Sequence, residues 1–555
     1  TNCGFLFIEF AYEIKTFHKW SISYILYHFH SSTCLKSSSS QKTMETWFLI
    51  LVSISISLLL KAFYDLFLYP TKPTGKSLPT LPPGPPIFPV IGNIVWLRRS
   101  FSEMEPVLRA LHSKLGPIIS LRLGSRPTIF VADRSLAHQA LVQNGAVFAD
   151  RPKSVSINRI ASSNQKNISS APYGATWRLL RRNLTAEILH PSRVKSYSHA
   201  RKWVLQILID RLAGAGDGPT VRVVDHFQYA MFCLLVLMCF GDKLEEEQIK
   251  DVERVERNMI LNIFKYNILN FFPKVTKVLF RKKWEEFLQL RKDQEDVLIP
   301  LIRARKDALR NKKEGETLAY VDTLFGLVLP DENRNLNDDE LVTLCNEFLN
   351  AGTDTTSTAL QWIMARLVKH PDVQDRVYSE IEKSVGPAGA DEIGEERLGE
   401  MTYLKAVVLE GLRRHPPGHF VLPHAVTDDV ELGGHLVPRR GTVNFMVADM
   451  GWDPEVWEDP MEFKPDRFVG KEKDYLDITG SKGIKMMPFG VGRRMCPAYG
   501  LAMLHLEYFV ANLVWRFEWK EVDGVGVDLS EKQEFTMVMK FPLQARLVPR
   551  FNGVR

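Results

Sequence analysis

Cysteine is scarce and never paired. Six cysteines (Cys3, Cys34, Cys233, Cys239, Cys345 and Cys496) stand in 555 residues, with no CxxC among them. Zinc ribbons, iron–sulfur clusters and disulfide frameworks need clustered thiols, so these readings are set aside. A strong surplus of one charge is also lacking. With 71 basic and 65 acidic residues the net charge is +6, too dilute for a nucleic-acid surface. Internal repeats are absent, and nothing past residue 80 reads as an interdomain linker.

What is present is ample apolar material, 45% of residues, in an ordinary globular composition. Residues 1–43 show no clear periodicity and precede a Met at position 44. They are read as a leader or extension outside the fold, with an organellar targeting segment as the alternative. "METWFLILVSISISLLLKAFYDLFLYP" follows. Trp47 to Leu60 carry no charge, and apolar residues continue past Lys61 to Leu68. Residues 44–69 are therefore expected to anchor the chain in a bilayer, a buried core helix being the other reading. Lys72, Lys76, Arg98 and Arg99 come after it, which places the remainder in the cytosol. "LPPGPP" (81–86) ends a proline-rich hinge over 70–86, stiff and extended. In that orientation the sequons at Asn167 and Asn183 stay bare.

From residue 87 to 555 helical periodicity dominates, with runs near 101–115, 174–189, 224–240, 246–262, 283–311, 337–370 and 402–414. Strand-like pieces are short: 118–124, 127–132, 430–438, 441–447 and a final hairpin region near 535–548. One large, mainly α domain with a small β portion is expected.

Three constellations carry chemistry. In the first, Asn337 and Glu340 form a capping box opening a helix that runs to His370, roughly 50 Å long. Its middle reads "AGTDTTST" (351–358), a cluster of poor helix formers. Gly352 removes a side chain, so a flat ligand could lie on the backbone. The Thr355 hydroxyl can bond the carbonyl of Ala351, and Asp354 adds a proton-active group. A helix simply bending around a core is the bland alternative. In the second, "LEGLRRHPP" places Glu410 and Arg413 three apart on one helix face, and "FKPDRF" offers Arg467 as a second cation. Most such pairs are solvated contacts of little worth; a three-member network would be structural. In the third, "PFGVGRRMCPAYG" (488–500) presents one thiol, Cys496, on a loop turned by Gly490 and Gly492. A lone thiolate offered without other protein ligands suits a metal already held by a macrocycle, and haem fits. A buried structural cysteine is the alternative.

Together these stretches, with "WRLLR" (177–181), resemble the cytochrome P450 superfamily of haem-thiolate monooxygenases over nearly all of residues 45–550. "GATWRLLRRNLT", "LQWIMA" and "EGLRRHPPGHFVLPH" resemble the plant microsomal type, and most closely family 89, subfamily A. The resemblance implies the cytochrome P450 fold and haem b, with Cys496 as axial iron ligand on the loop that begins at Phe489. It implies Trp177 and Arg181 on one propionate, Arg494 on the other and His424 as a further partner. Ala351 would lie against the cofactor, while Asp354 and Thr355 would pass protons to dioxygen as it is reduced. Glu410, Arg413 and Arg467 would lock the core. Phe420, Val421, Ala351 and Met537 would touch a lipophilic substrate, with linear tetrapyrroles from chlorophyll breakdown, fatty acids or other secondary metabolites as classes. NADPH-derived electrons would arrive from a flavoprotein, NADPH–cytochrome P450 reductase, at a basic patch of Lys482, Lys485 and Arg493, for which a solvated loop is the alternative. The location implied is the endoplasmic reticulum membrane, single-pass, catalytic domain in the cytosol. Two other readings are a reductase-independent haem-thiolate isomerase or lyase, and a non-catalytic haem carrier. The intact Asp354–Thr355 pair counts against both. One departure is Ala498, where the family pattern has glycine; its methyl adds bulk at the haem edge or helix start, a small change expected to be tolerated.

Overall fold

The computed structural model describes residues 80–85 and 101–551, apart from gaps at 124–125, 215–219, 242, 271–272, 312–316, 387–389 and 471–476. Upstream it describes only residues 48, 51–53 and 55, all helical. The expected leader over 1–43 lies outside the described residues, as does nearly all of the anchor over 44–69. The described residues from 80 onward belong to one compact unit.

The elements that build the site are numbered here in chain order. Helix α1 (Phe101–Leu115) leads into strands β1 (Ile118–Leu123) and β2 (Arg126–Val131), then helices α2 (Ala175–Asn183) and α3 (Val223–Phe240). Helices α4 (Glu246–Asn262), α5 (Arg281–Ala308), α6 (Asp338–Lys369) and α7 (Thr402–Arg414) follow. Strands β3 (His424–Ala425) and β4 (Thr442–Phe445), helix α8 (Val447–Gly451), helix α9 (Tyr499–Arg516) and strands β5 (Glu531–Gln533) and β6 (Met537–Met539) complete the set.

The main sheet has the order β1–β2–β4–β3. Its outer pairs are antiparallel and its central β2–β4 pair is parallel. Residues 80–85 of the proline run are docked on this sheet. Ser120 donates to Pro83 O at 2.8 Å and to Pro82 O at 2.6 Å, and Pro82 is buried. This part of the expected spacer is therefore packed against the body.

Helix α6 is continuous through its weak centre. Its capping box is made as the sequence suggests, Glu340 N donating to Asn337 Oδ1 at 2.9 Å and Asn337 N to Glu340 Oε2 at 3.0 Å. Its main packing partner is α3, which is apolar and long enough to cross a membrane by composition alone. Yet 89% of α3 is buried inside the body, so it is a core helix. The expected final hairpin near 535–548 is corrected. Met537–Met539 pairs backward with Glu531–Gln533, while Gln544–Pro549 pairs with Phe517–Lys520.

Glu410 and Arg413 are not a solvated pair. Both side chains are fully buried, with Arg413 Nε and Nη2 donating to the two Glu410 oxygens at 2.6 and 2.7 Å. Arg413 Nη1 also donates to Gly451 O and Pro460 O at 2.7 Å, and Arg467 Nε reaches Glu410 Oε1 at 3.4 Å. The network ties α7 to the loop over 451–467, which packs beside the segment leading to Cys496. Truncation at one end leaves a charge in the core without its partner. Glu410→Ala should therefore destabilise the protein by about 3–5 kcal/mol, read as a lower unfolding midpoint in urea, or prevent soluble expression.

A second buried carboxyl joins three helices. Glu256 on α4 is 0% exposed, and its Oε2 accepts from Gln294 of α5 at 3.0 Å and Asn350 of α6 at 2.6 Å. Burial pushes its pKa up to about 7, against the lowering by these two amides and Arg291. The folded state thus holds this proton more tightly than the unfolded chain. Its contribution is complete below about pH 4.5 and is lost towards pH 7, by roughly 3 kcal/mol. Glu256→Gln should flatten that part of the stability profile, checked by urea unfolding at about pH 5 and pH 8.

Candidate active site

The thiol loop is built by its glycines. Gly490 and Gly492 have φ of +66° and +77°, and a Cβ on Gly492 would fall 2.1 Å from Leu141 O. The turn closes with Cys496 N donating to Phe489 O at 2.8 Å. Helix α9 then starts at Tyr499, and the N–H of its cap residue, Ala498, bonds the sulfur. Burial pushes the Cys496 thiol up, while the Ala498 N–H and the Arg181 guanidinium pull it down by favouring thiolate. Ala498 has φ of −97°, a conformation open to any L-residue, so its methyl brings no backbone strain.

Between this loop and α6 lies a cavity of about 360 Å³, within the size range of small-molecule and cofactor sites. Cys496, Phe489, Ala498, Leu501 and His505 line one side, and Ala351, Thr355, Phe420 and Val421 also line it. At one end stand Trp177, Arg181, Arg494, His424 and Arg151. Arg494 is anchored by donating to the carbonyls of Ala149, Ile168 and Ala171 at 2.7, 3.1 and 2.6 Å. Arg181 Nη2 donates to Met495 O at 2.6 Å, tying α2 to the residue before the thiol.

This end calls for an anionic occupant. Among the described residues none of Arg151, Arg181 and Arg494 forms an ion pair within 4 Å, Asp150 and Glu347 acting on Arg151 and Arg494 only from farther away. Burial, then the neighbouring Arg494, pushes Arg151 down to about 9; burial, together with Arg181, pushes Arg494 down to about 10. The buried Trp177 Nε1 has no hydrogen-bond partner, a cost that a ligand oxygen would remove. His424 donates Nδ1–H to Phe148 O at 2.6 Å. Burial and Arg151 push its ring down to about 3, so it is neutral and Nε2 would donate to a carboxylate only if protonated. One thiol, a cluster of buried cations and an orphaned indole N–H fit a metallated macrocycle carrying carboxylates. Haem meets that description.

The opposite wall departs from expectation in detail. Thr355 lines the cavity and its Oγ1 donates to Ala351 O at 2.6 Å. Asp354 is absent from the wall and instead accepts from Thr536 Oγ1 at 2.7 Å, on the other side of the helix. Burial raises its pKa. Met537 is also outside the wall: it is 5% exposed, and its carbonyl accepts from Trp362 Nε1 at 2.7 Å. The missing side chain of Gly352 points at Leu235 of α3, where a Cβ would sit at 2.7 Å. Glycine here permits helix approach rather than only a flat ligand.

Two wall residues escaped the sequence reading. Arg151 donates to Ser169 O, Leu422 O and Pro423 O at 2.7, 2.8 and 2.8 Å. Glu347 accepts from the amides of Ile168 and Ser169 at 2.8 and 2.6 Å, holding the loop over 168–171 to α6. For Glu347 the available signal was a charge on an apolar turn of α6, which sequence alone cannot tell from a solvated one; Arg151 lies in irregular chain and gave none.

The cytochrome P450 family model matches residues 82–547. The chain is 53% identical over 517 residues to Cytochrome P450 89A9 of Arabidopsis thaliana, covering 91% of this chain and 98% of that protein. It is 30% identical to an isoflavone 2'-hydroxylase of Medicago truncatula, over 85% of this chain and 92% of the relative. A solved zebra fish cytochrome P450 with progesterone superposes with a TM-score of 0.69 at 23% identity, covering 80% of this chain and 99% of that one. Mainly helical with a small sheet portion, carrying its lone thiol against a cation-lined slot, the chain belongs to the plant monooxygenases of the cytochrome P450 family.

Proposed function

We propose that the protein inserts one atom of dioxygen into a lipophilic small molecule, with NADPH-derived electrons relayed by a flavoprotein reductase. The observation that carries this reading is the cavity itself, with Cys496 on one side, Thr355 on the other and unpaired cations at its end. Cys496 would ligate the iron of haem b, and Trp177, Arg181 and Arg494 would hold its propionates, while His424, its one N–H spent on Phe148 O, lines that end as a neutral ring. Bound there, the cofactor supplies the oxygen chemistry, for which thiolate ligation is suited.

The chain's own residues do the rest. Thr355 Oγ1 presents a hydroxyl to the cavity while bonded to Ala351 O, so it can hold and hand on a proton. Asp354 stands one residue earlier, but its carboxyl, raised by burial, is bonded to Thr536 on the other side of the helix, so in this arrangement Thr355 carries this step. Phe420, Val421, Leu422, Leu235 and Phe348 make the remaining wall largely apolar, which favours lipophilic ligands and excludes water. Linear tetrapyrroles from chlorophyll breakdown, fatty acids and other secondary metabolites are the substrate classes carried by the family resemblance. Arg493 is exposed beside the thiol loop and Lys482 is exposed nearby, which supports this face as the reductase surface. Exposed Phe48, Leu51 and Val52 in the helical residues upstream support a membrane anchor, for which the endoplasmic reticulum is the proposed location.

With isotopically labelled dioxygen and the reconstituted reductase, product should carry one labelled oxygen atom and water the other; unlabelled product would refute the reading. Cys496→Ala should abolish the red-shifted absorption of the reduced carbon monoxide complex. Trp177→Phe keeps the ring and loses the N–H, so haem should dissociate roughly fivefold faster, about 1 kcal/mol. Thr355→Ala should consume NADPH but lower product per NADPH roughly tenfold or more, measured as coupling.

A further inference from the structure

One buried polar network takes no part in the chemistry above. His419 is 2% exposed, and its Nδ1 lies 2.8 and 3.0 Å from the two oxygens of Glu105 on α1. Burial would raise the Glu105 carboxyl, but His419 and Arg109 outweigh it and hold the pKa below the ordinary value. Glu105 is thus ionised and only accepts, so His419 Nδ1 donates. On its other side the ring faces Glu531 of β5, with Nε2 at 3.7 Å from Oε2. That is ion-pair range but too long for a hydrogen bond.

Glu531 is itself placed by a second histidine. Arg366 Nε donates to His415 Nε2 at 3.0 Å, so the hydrogen of His415 is on Nδ1 and is donated to Glu531 Oε1 at 2.9 Å. His415 also stacks on Trp362 of α6 with ring centroids 3.9 Å apart. The charged groups around His419 are Glu105 and Arg109 from α1, Glu531 from β5 and Arg414 from α7. Asp449 of α8 joins through Arg109 at 3.0 Å. Glu105 of α1 and Glu531 of β5, far apart in sequence, therefore meet at one imidazole.

The next residue is Phe420, in the cavity wall. The backbone of this segment is pinned along one edge, Val447 N donating to His419 O at 2.8 Å and Val421 N to Phe445 O at 3.2 Å. Those bonds fix its path along the sheet, while the His419 side chain fixes its depth. Phe420 in turn meets Phe130 edge-on, centroids 6.3 Å apart. We propose that His419 is a positioning residue: by donating to Glu105, with Glu531 facing its other edge, it sets where Phe420 stands in the wall, and so which ligand shapes the cavity accepts.

The inference rests on the haem reading of the cavity. Imidazole and 4-phenylimidazole serve as probes, titrated by the absorption change of the haem. Both place an azole nitrogen on iron, but the second must also find room for a ring at the wall. Phe420→Ala should change the affinity ratio of the two, which shows that the ratio reads this wall. His419→Leu should change it roughly tenfold, with haem content and imidazole affinity unchanged, while His419→Gln, which keeps a donor to Glu105, should stay within about twofold of the parent. Should His419→Leu fail to fold, Glu105→Gln has to shift the ratio in the same direction. An unchanged ratio in either folded variant, or in Phe420→Ala, overturns the proposal. A parent protein whose haem responds to neither azole would instead refute the haem reading, and this inference with it.

Discussion

A single backbone hydrogen bond, from Cys496 N to Phe489 O, sets the geometry on which the site depends. It closes a loop whose two glycines have backbone angles that side chains disfavour, and it fixes where the sulfur points. With the loop closed, Arg494 is placed to gather three carbonyls from the segment over 149–171, and Arg181 reaches back to Met495. The cation cluster, the orphaned Trp177 N–H and the thiol are thus one construction. Its cost is the burial of arginines without carboxylate partners, which a dianionic ligand offsets.

The same logic explains why the Glu410–Arg413 pair is buried rather than solvated. Arg413 spends its donors on both carboxylate oxygens and on the carbonyls of residues 451, 460 and 462, so the loop it gathers has few loose backbone groups. Such full satisfaction is what makes a buried ion pair tolerable. It confers specificity of arrangement on a loop with little regular structure of its own.

Local features were legible in the sequence. The capping box at Asn337, the hydroxyl bond of Thr355 and the glycine turns all depend on neighbours within a few positions. Tertiary direction was not. Asp354 and Thr355 are adjacent, yet one faces Thr536 and the other the cavity, because successive residues on a helix diverge by about 100°. Helix α9 was missed since "YGLAMLHLEYFVANLVWR" is apolar on most of its circumference and shows no stripe. Strand pairing at the C-terminal end went wrong for a related reason: short strands of three residues carry too little pattern to choose between partners. Arg151 and Glu347 look like ordinary surface charges until their carbonyl and amide partners are brought in from elsewhere in the chain.

The contact between Gly352 and Leu235 has a practical side. Both residues line the cavity, and a methyl on Gly352 would meet the Leu235 side chain at 2.7 Å, so that side chain would have to turn aside. Enlarging residue 352 therefore reshapes the chamber from its helical wall, whereas the Phe420 face is held by its backbone bonds and by Phe130.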